Sequence, residues 1–428
     1  MPLSLSDDYD LAEELKNKAR QYYENNKFDL SLELIEKSLI IYKKLNAYEK
    51  IQECLLLIAV NYSGKSEFSK ALVILDECEK LCIKHELNEG LMKTYNSKGN
   101  NLAYLINYEH ATVAFENSLK IAKSLYNQKS IITSSLNLLT IYTILKNYKK
   151  ALIVINESYR ILKGTDNKEL FSKFLEKIAL LFYDMKMYDK SFEIYATLNN
   201  YLENEKNELR LSNIMLYIGL IYYTKEKYEN ALIYYENSYN LKEKLKIDFI
   251  KVVYFLNLGN THLKLGNLEK AEIYFNKFLS EPNENQLYFG MLHESLAELN
   301  LKLKNGEKVK ENYYKSLEIF YSIERVDKIS EISIKLSNYL TDNSETNEAI
   351  NILESALKLC EKKSHFIELI NLCEEFIKIY NIQKNFERVK FYENKLNYLK
   401  LIKQKKVQKA EDEIKNLIND INSLNLEI

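Results

Sequence analysis

An internal period of 40 residues constrains this chain more than any other feature. Segments such as YENALIYYENSYNL, YKKALIVINESYRI, LEKAEIYFNKFLS and FSKALVILDECEKL are variants of one template. Taking the small residue of each as an anchor gives Ser31, Ala71, Ala111, Ala151, Ser191, Ala231, Ala271, Val309, Ala349 and Val389. The anchors follow one another every 40 residues, apart from one step of 38 between Ala271 and Val309. A register kept over ten units marks a stacked-repeat architecture, in which no unit buries its apolar face alone and each packs on its neighbours.

The interior of each unit is also fixed. Twelve residues before the anchor stands a small or modest side chain (Ala19, Ala59, Gly99, Ala179, Gly219, Gly259, Ala297). Nine before it is a mostly aromatic one (Tyr22, Tyr62, Leu102, Tyr142, Phe182, Tyr222), and four after it a large apolar one (Ile35, Leu75, Phe115, Ile155, Tyr195, Tyr235, Phe275). Separations of three and four put these side chains on one face of a helix. Short turns carrying Asn, Gly or Lys (LKLGNLEK, YTKEKYEN, TILKNYKK) join a first helix to a second. Only 9 Gly and 2 Pro interrupt 428 residues, so the chain is expected to be almost wholly helical with short connections. The small positions are expected where two helix backbones approach, the large ones in the layer between units.

This pattern resembles the tetratricopeptide repeat, which has a small residue at position 8, an aromatic at 11, Ala at 20, an aromatic at 24 and a small residue at 27. The segment YIGLIYYTKEKYENALIYYENSYNL matches through Gly219, Tyr222, Ala231, Tyr235 and Ser238. In LNLGNTHLKLGNLEKAEIYFNKF the matches are Gly259, Ala271 and Phe275, while His262 and Phe278 depart from the preferred types. The resemblance extends over about residues 8–400. A period of 40 rather than 34 is similar to that of the peptide-pheromone receptors and Rap-type regulators of Gram-positive bacteria. The fold implied is all-α, a right-handed superhelical solenoid of about ten helix-turn-helix repeats. Because the register begins near residue 8, no room is expected for the N-terminal three-helix or helix-turn-helix modules of those relatives.

The repeats divide into a regular set, 1–7, over residues 8–281 and a degenerate set, 8–10, over 282–402. Pro282, in LSEPNENQLYFG, is expected to end a helix and dislocate the stack between about 280 and 290. Over 403–428, Val407, Ala410, Ile414, Leu417, Ile421, Leu424 and Ile428 keep 3,4 spacing. That helix is expected either to cap the last repeat, folding back on Tyr380, Phe391 and Tyr392, or to form a short coiled coil. The chain would then be a monomer or a weak homodimer through this helix.

Chemistry is sparse. The five histidines are scattered, no nucleophile elbow or HExxH motif occurs, and no enzymatic activity, cofactor or metal is expected. AVNYSGKS, residues 59–66, approximates a phosphate loop but sits in the first helix of repeat 2 with no strand before it. Cys78 and Cys82 stand at i, i+4 without a second ligand pair and read as packing thiols. With 60 basic and 61 acidic side chains there is no field to attract nucleic acid or an anionic membrane. No apolar run reaches the roughly 18 residues of a membrane span, the start lacks a signal peptide, and a cytoplasmic location is expected.

Function therefore rests on the inner surface of the superhelix, toward which positions 2, 5, 6, 9, 12 and 13 of the first helices are expected to turn. They carry Asn96 and Asn100, Asn137, Lys173 and Lys177, Tyr217 and Tyr223, and Asn257 and Asn260. An Asn amide is both donor and acceptor and can satisfy the backbone of an extended peptide. Tyr adds flat contact area at low entropic cost. Lys suits an acidic side chain or terminal carboxylate. These nine residues are the candidate peptide site of a protein- or peptide-binding scaffold or adaptor. The alternative is an intracellular peptide-sensing receptor, in which a ligand alters the affinity for a second partner.

Overall fold

The computed structural model describes residues 5–162, 167–246, 250–282 and 285–422, with the side chains of 5–6, 403, 405–417 and 419–422 outside the description. All regular structure in these residues is helical. The first ten helices are α1 (Leu5–Glu24), α2 (Phe28–Lys44), α3 (Tyr48–Gly64), α4 (Phe68–Lys84), α5 (Asn88–Tyr104), α6 (Tyr108–Ser124), α7 (Gln128–Ile144), α8 (Tyr148–Leu162), α9 (Lys168–Asp184) and α10 (Tyr188–Asn204). The second ten are α11 (Glu208–Thr224), α12 (Tyr228–Lys244), α13 (Lys251–Lys264), α14 (Leu268–Ser280), α15 (Gln286–Lys302), α16 (Gly306–Ser322), α17 (Val326–Asp342), α18 (Thr346–Lys363), α19 (Phe366–Ile382) and α20 (Phe386–Asn422). Odd-numbered helices are the first and even-numbered the second helices of the repeats. The chain forms two compact units, Met1–Ile194 with Ile414–Ile428, and Tyr195–Glu413, with the boundary inside α10.

The turns explain the period. A helix of 17 residues and a short turn recur every 20 residues, and Asn26, Asn46, Ser66, Glu86, Ile106, Tyr126 and Lys146 mark the beat with φ between 52° and 61°. Each turn closes the helix before it: Asn26 N–H donates to the Tyr23 carbonyl at 2.9 Å and Lys27 N–H to that of Tyr22 at 2.9 Å, the paired hydrogen bonds of a left-handed C-cap. Ordinary side chains hold the left-handed site nearly everywhere, at a cost of about 1–2 kcal/mol each. Among the described residues Gly266 is the one glycine so used, which is why so helical a sequence contains so few.

Within a repeat, position 8 faces position 24. A Cβ added to Gly219 would lie 2.7 Å from the Tyr235 ring, and one added to Gly99 2.5 Å from Phe115. The small residue thus makes room first for an aromatic ring, and at Gly219 the Ala231 carbonyl of the second helix also comes within 3.4 Å of the added atom. Gly219→Ala should consequently lose about 1–3 kcal/mol by overpacking, although Ala is the better helix former by about 1 kcal/mol. Thermal unfolding checks this: a rise in the midpoint would contradict the packing argument.

Position 27 makes the joint between repeats. Ser38, Ser118, Ser238 and Ser316 donate from the second helix to the carbonyls of Ala12, Met92, Ser212 and Gly290 in their own first helix. The same hydroxyls reach the next repeat: Ser118 lies 3.0 Å from the Ser134 hydroxyl and Ser238 3.0 Å from that of Tyr254. Cys78 takes this place in repeat 2, its Sγ 3.2 Å from the Thr94 hydroxyl, so it and the buried Cys82 are packing thiols. The core is a series of layers. Ala19, Ile35, Tyr42 and Cys54 belong to one in the first unit, and Phe320, Leu336, Leu353 and Phe376 to one in the second.

Two sequence irregularities have local causes. Helix α14 stops at Ser280 after 13 residues, and Glu281 before Pro282 is extended (φ −86°, ψ 138°), because proline disfavours helical backbone in its predecessor. His262, at an aromatic position, is buried and lies flat on Tyr274 with centroids 5.5 Å apart. Burial lowers its pKa, so it packs there as a neutral ring. The backbone of α20 is helical to Asn422, while the heptad side chains Val407, Ala410, Ile414, Leu417, Ile421, Leu424 and Ile428 lie outside the described residues. No described helix is long and apolar enough to cross a membrane.

Candidate functional site

The nine candidate residues all lie in the middle or last turns of first helices: Asn96 and Asn100 on α5, Asn137 on α7, Lys173 and Lys177 on α9, Tyr217 and Tyr223 on α11, Asn257 and Asn260 on α13. They are distinct from the asparagines that cap helices, such as Asn127 and Asn167, whose side chains accept from Ser130 N–H at 3.0 Å and Leu170 N–H at 2.9 Å. Their surroundings differ between the two units.

In the first unit the structure brings three of them together. The Asn137 amide donates to Asn96 Oδ1 at 3.0 Å and to Asn100 Oδ1 at 3.5 Å. Position 6 of one repeat thereby meets positions 5 and 9 of the repeat before it. These amides make no other side-chain hydrogen bond among the described residues, so the Asn137 oxygen and the amino groups of Asn96 and Asn100 remain available. Lys177, one repeat on, occupies position 6 again. Opposite it, at positions 5 and 9, stand Leu136 and Thr140, and the Thr140 hydroxyl is bonded to the Leu136 carbonyl at 3.0 Å. Lys177 is half-buried and forms no hydrogen bond or ion pair among the described residues. Burial lowers its pKa, only partly opposed by the neighbouring Glu176. Lys173 is different, exposed and paired with Glu169 at 2.6 Å.

In the second unit Tyr217 stacks on Tyr195, centroids 5.3 Å apart and planes within 4°. Tyr223 meets Tyr228 edge-on at 5.4 Å, and burial, then the negative charges of Glu298 and Glu294, raise its pKa. The half-buried Asn257 and Asn260 side chains make no hydrogen bond among the described residues.

Sequence reading missed a charged cluster on the same face. Lys335 Nζ lies 2.5 Å from Glu294 and 2.6 Å from Glu298, repeating with charges the register of Asn137 with Asn96 and Asn100. Lys328 stands 3.5 Å from Glu294 and 2.7 Å from Glu331, and Lys264 3.4 Å from Glu298. Burial raises the pKa of Glu294 against the pull of Lys328 and Lys335. For Lys335 the order is reversed: burial opposes its charge, but Glu294 and Glu298 outweigh it and the pKa rises. Three carboxylates and three ammonium groups satisfy one another here, so the cluster is a fastening between helices. A position-6 lysine with Glu at positions 5 and 9 of the repeat before was the signal in the sequence.

A smaller network of the same kind ties α1 to α3. Lys16 lies 2.8 Å from Glu13 and 2.5 Å from Glu53, Lys50 lies 3.0 Å from Glu13, and the Tyr42 hydroxyl donates to Glu13 at 2.7 Å. The AVNYSGKS segment is helical through Gly64, with Asn61 and Ser63 bonded back to the Leu57 and Ala59 carbonyls, and offers no loop of free N–H groups. Among the described residues no three His, Cys, Asp or Glu side chains are grouped to hold a metal ion.

Comparison with known proteins agrees with the helical-repeat fold. The tetratricopeptide repeat family model matches residues 253–285. A search of curated proteins finds no match. The crystal structure of the apo form of RapI has a TM-score of 0.59 at 16% identity, covering 82% of this chain and 99% of RapI. The apo form of the quorum sensor NprR from B. thuringiensis has a TM-score of 0.61 at 17% identity, covering 81% of this chain and 99% of NprR. The chain thus carries a tetratricopeptide repeat at residues 253–285 within its 40-residue period and is similar in fold to RapI and NprR.

Proposed function

We propose that the chain is a peptide- or protein-binding scaffold whose principal contacts lie on the first-helix face of α5, α7 and α9. The observation that carries this reading is Lys177. Lys177 is a half-buried cation that forms no ion pair among the described residues, which costs stability, whereas the equivalent lysine of repeat 9 has two carboxylates. A carboxylate from a ligand, a side chain or a free C-terminus, would complete the pair, while the Asn96, Asn100 and Asn137 amides bind the peptide backbone beside it. Asn257 and Asn260 offer similar amides in the second unit.

Selection of displayed peptides with free C-termini on the full chain tests the proposal. Selected peptides should be acidic or depend on their C-terminal carboxylate. Lys177→Met should weaken them about tenfold or more while leaving thermal stability unchanged or higher, the signature of a residue kept for binding. Peptides that bind Lys177→Met as tightly, or bind equally when amidated and uncharged, would refute it.

The fold likeness to NprR, described as a quorum sensor, supports a second reading, in which the peptide is a signal that alters affinity for another partner. Small rotations at successive repeat interfaces add along a stack and suit such a response. Small-angle scattering with a selected peptide separates the two: a change in radius at saturation favours the receptor, an unchanged radius the passive scaffold.

A further inference from the structure

The second-helix side of the second unit holds an open apolar groove that the first-helix reading does not use. It lies between α16 and α18 and encloses about 530 Å³. Leu317 and Ile352 line it, together with Tyr314 and Tyr321, which stand about 10 Å apart along α16. Glu318 sits between the tyrosines, exposed and without an ion pair or hydrogen bond among the described residues. Among the described residues the only other charge lining the groove is Glu348, already bonded to Tyr314 and paired with Lys310 at 2.8 Å, and no basic side chain lines it.

From this arrangement we infer that the groove is a second docking site, for a peptide segment of a partner protein that presents an Arg or Lys flanked by aliphatic side chains. The carboxylate of Glu318 receives the cation, the ring faces of Tyr314 and Tyr321 add cation–π attraction, and the aliphatic neighbours cover Leu317 and Ile352. An acidic segment is rejected by the same carboxylate. The site is separate in residues and in preferred charge from the one around Lys177, so the chain can hold two partners of opposite charge.

Fluorescein-labelled Leu-Arg-Leu amide, with Leu-Glu-Leu amide as control, tests this by anisotropy against the full chain. The arginine peptide should bind and the glutamate peptide should not. Glu318→Gln should weaken binding about fivefold and Glu318→Lys more than tenfold, and both surface variants should keep the parent's unfolding midpoint. Tyr321→Ala should weaken it as well, and Lys177→Met should leave it unchanged. Equal binding of the two peptides, indifference to Glu318→Lys, or loss on Lys177→Met would overturn the inference. So would a dimer in sedimentation that Glu318→Lys dissolves, since the occupant would then be a second copy of the chain.

Discussion

Replacing Lys335 with methionine is expected to cost about 3–5 kcal/mol at pH 7. The variant keeps the volume of the side chain and removes the charge facing Glu294 and Glu298. Glu294 is 8% exposed and is left with Lys328 at 3.5 Å, and Glu298 with Lys264 at 3.4 Å. Two carboxylates would then face each other in a poorly solvated layer, and both pKa values would climb. A raised carboxylate pKa gives stability at low pH that is lost as pH rises through the folded-state value, so the deficit should shrink between pH 7 and pH 4. Because repeat arrays open piecewise, hydrogen exchange in α15 and α17 is the proper readout. A pH-independent loss, or one below about 1 kcal/mol, would mean that the cluster contributes only as exposed pairs do.

The second large effect concerns the N-terminal network. Burial, the largest single influence on Glu13, raises its pKa, but hydrogen bonds from Lys16, Tyr42 and Lys50 together hold it down to about 2. A carboxylate whose pKa is depressed on folding stabilises the fold above its unfolded value, here 4.5, and loses that contribution as pH falls toward 2. Discounted for solvent screening at this partly exposed side chain, the difference corresponds to about 1–2 kcal/mol at neutral pH. Glu13→Gln should therefore destabilise α1–α3 at pH 7 and flatten the acid limb of the stability profile between pH 4.5 and 2. Urea unfolding followed across that range checks it, and an acid limb as steep as the parent's would show that other carboxylates carry the dependence.

The fold was legible because each repeat states it again. The anchors at Ala71, Ala111 and Ala151 gave the period, and Gly99 with Phe115, or Gly219 with Tyr235, gave the faces. The turns were less legible. Left-handed backbone is read from Gly or Asn, and here Lys, Glu, Ser and even the β-branched Ile106 hold it, so the 20-residue beat is visible only in the dihedral angles. Partnership within the candidate site was not legible. Asn137 was read as one of a row of first-helix positions, but its bonds to Asn96 and Asn100 join adjacent repeats, and that register had to be seen before Lys335, Glu294 and Glu298 could be recognised as a cluster. The same register distinguishes Lys177, opposed by Leu136 and Thr140, from Lys173, which a neighbour one helical turn away already neutralises.

The central claim is that ligands engage the first-helix face of α5, α7 and α9 through Lys177 and the asparagine trio. Hydrogen exchange of the full chain, with and without a saturating peptide selected for carboxylate-dependent binding, tests it most directly. The account predicts slowed exchange concentrated in α5, α7 and α9, and none of that slowing in Lys177→Met at the same peptide concentration. Protection confined to α16 and α18, or protection of α5, α7 and α9 that survives Lys177→Met undiminished, would contradict it.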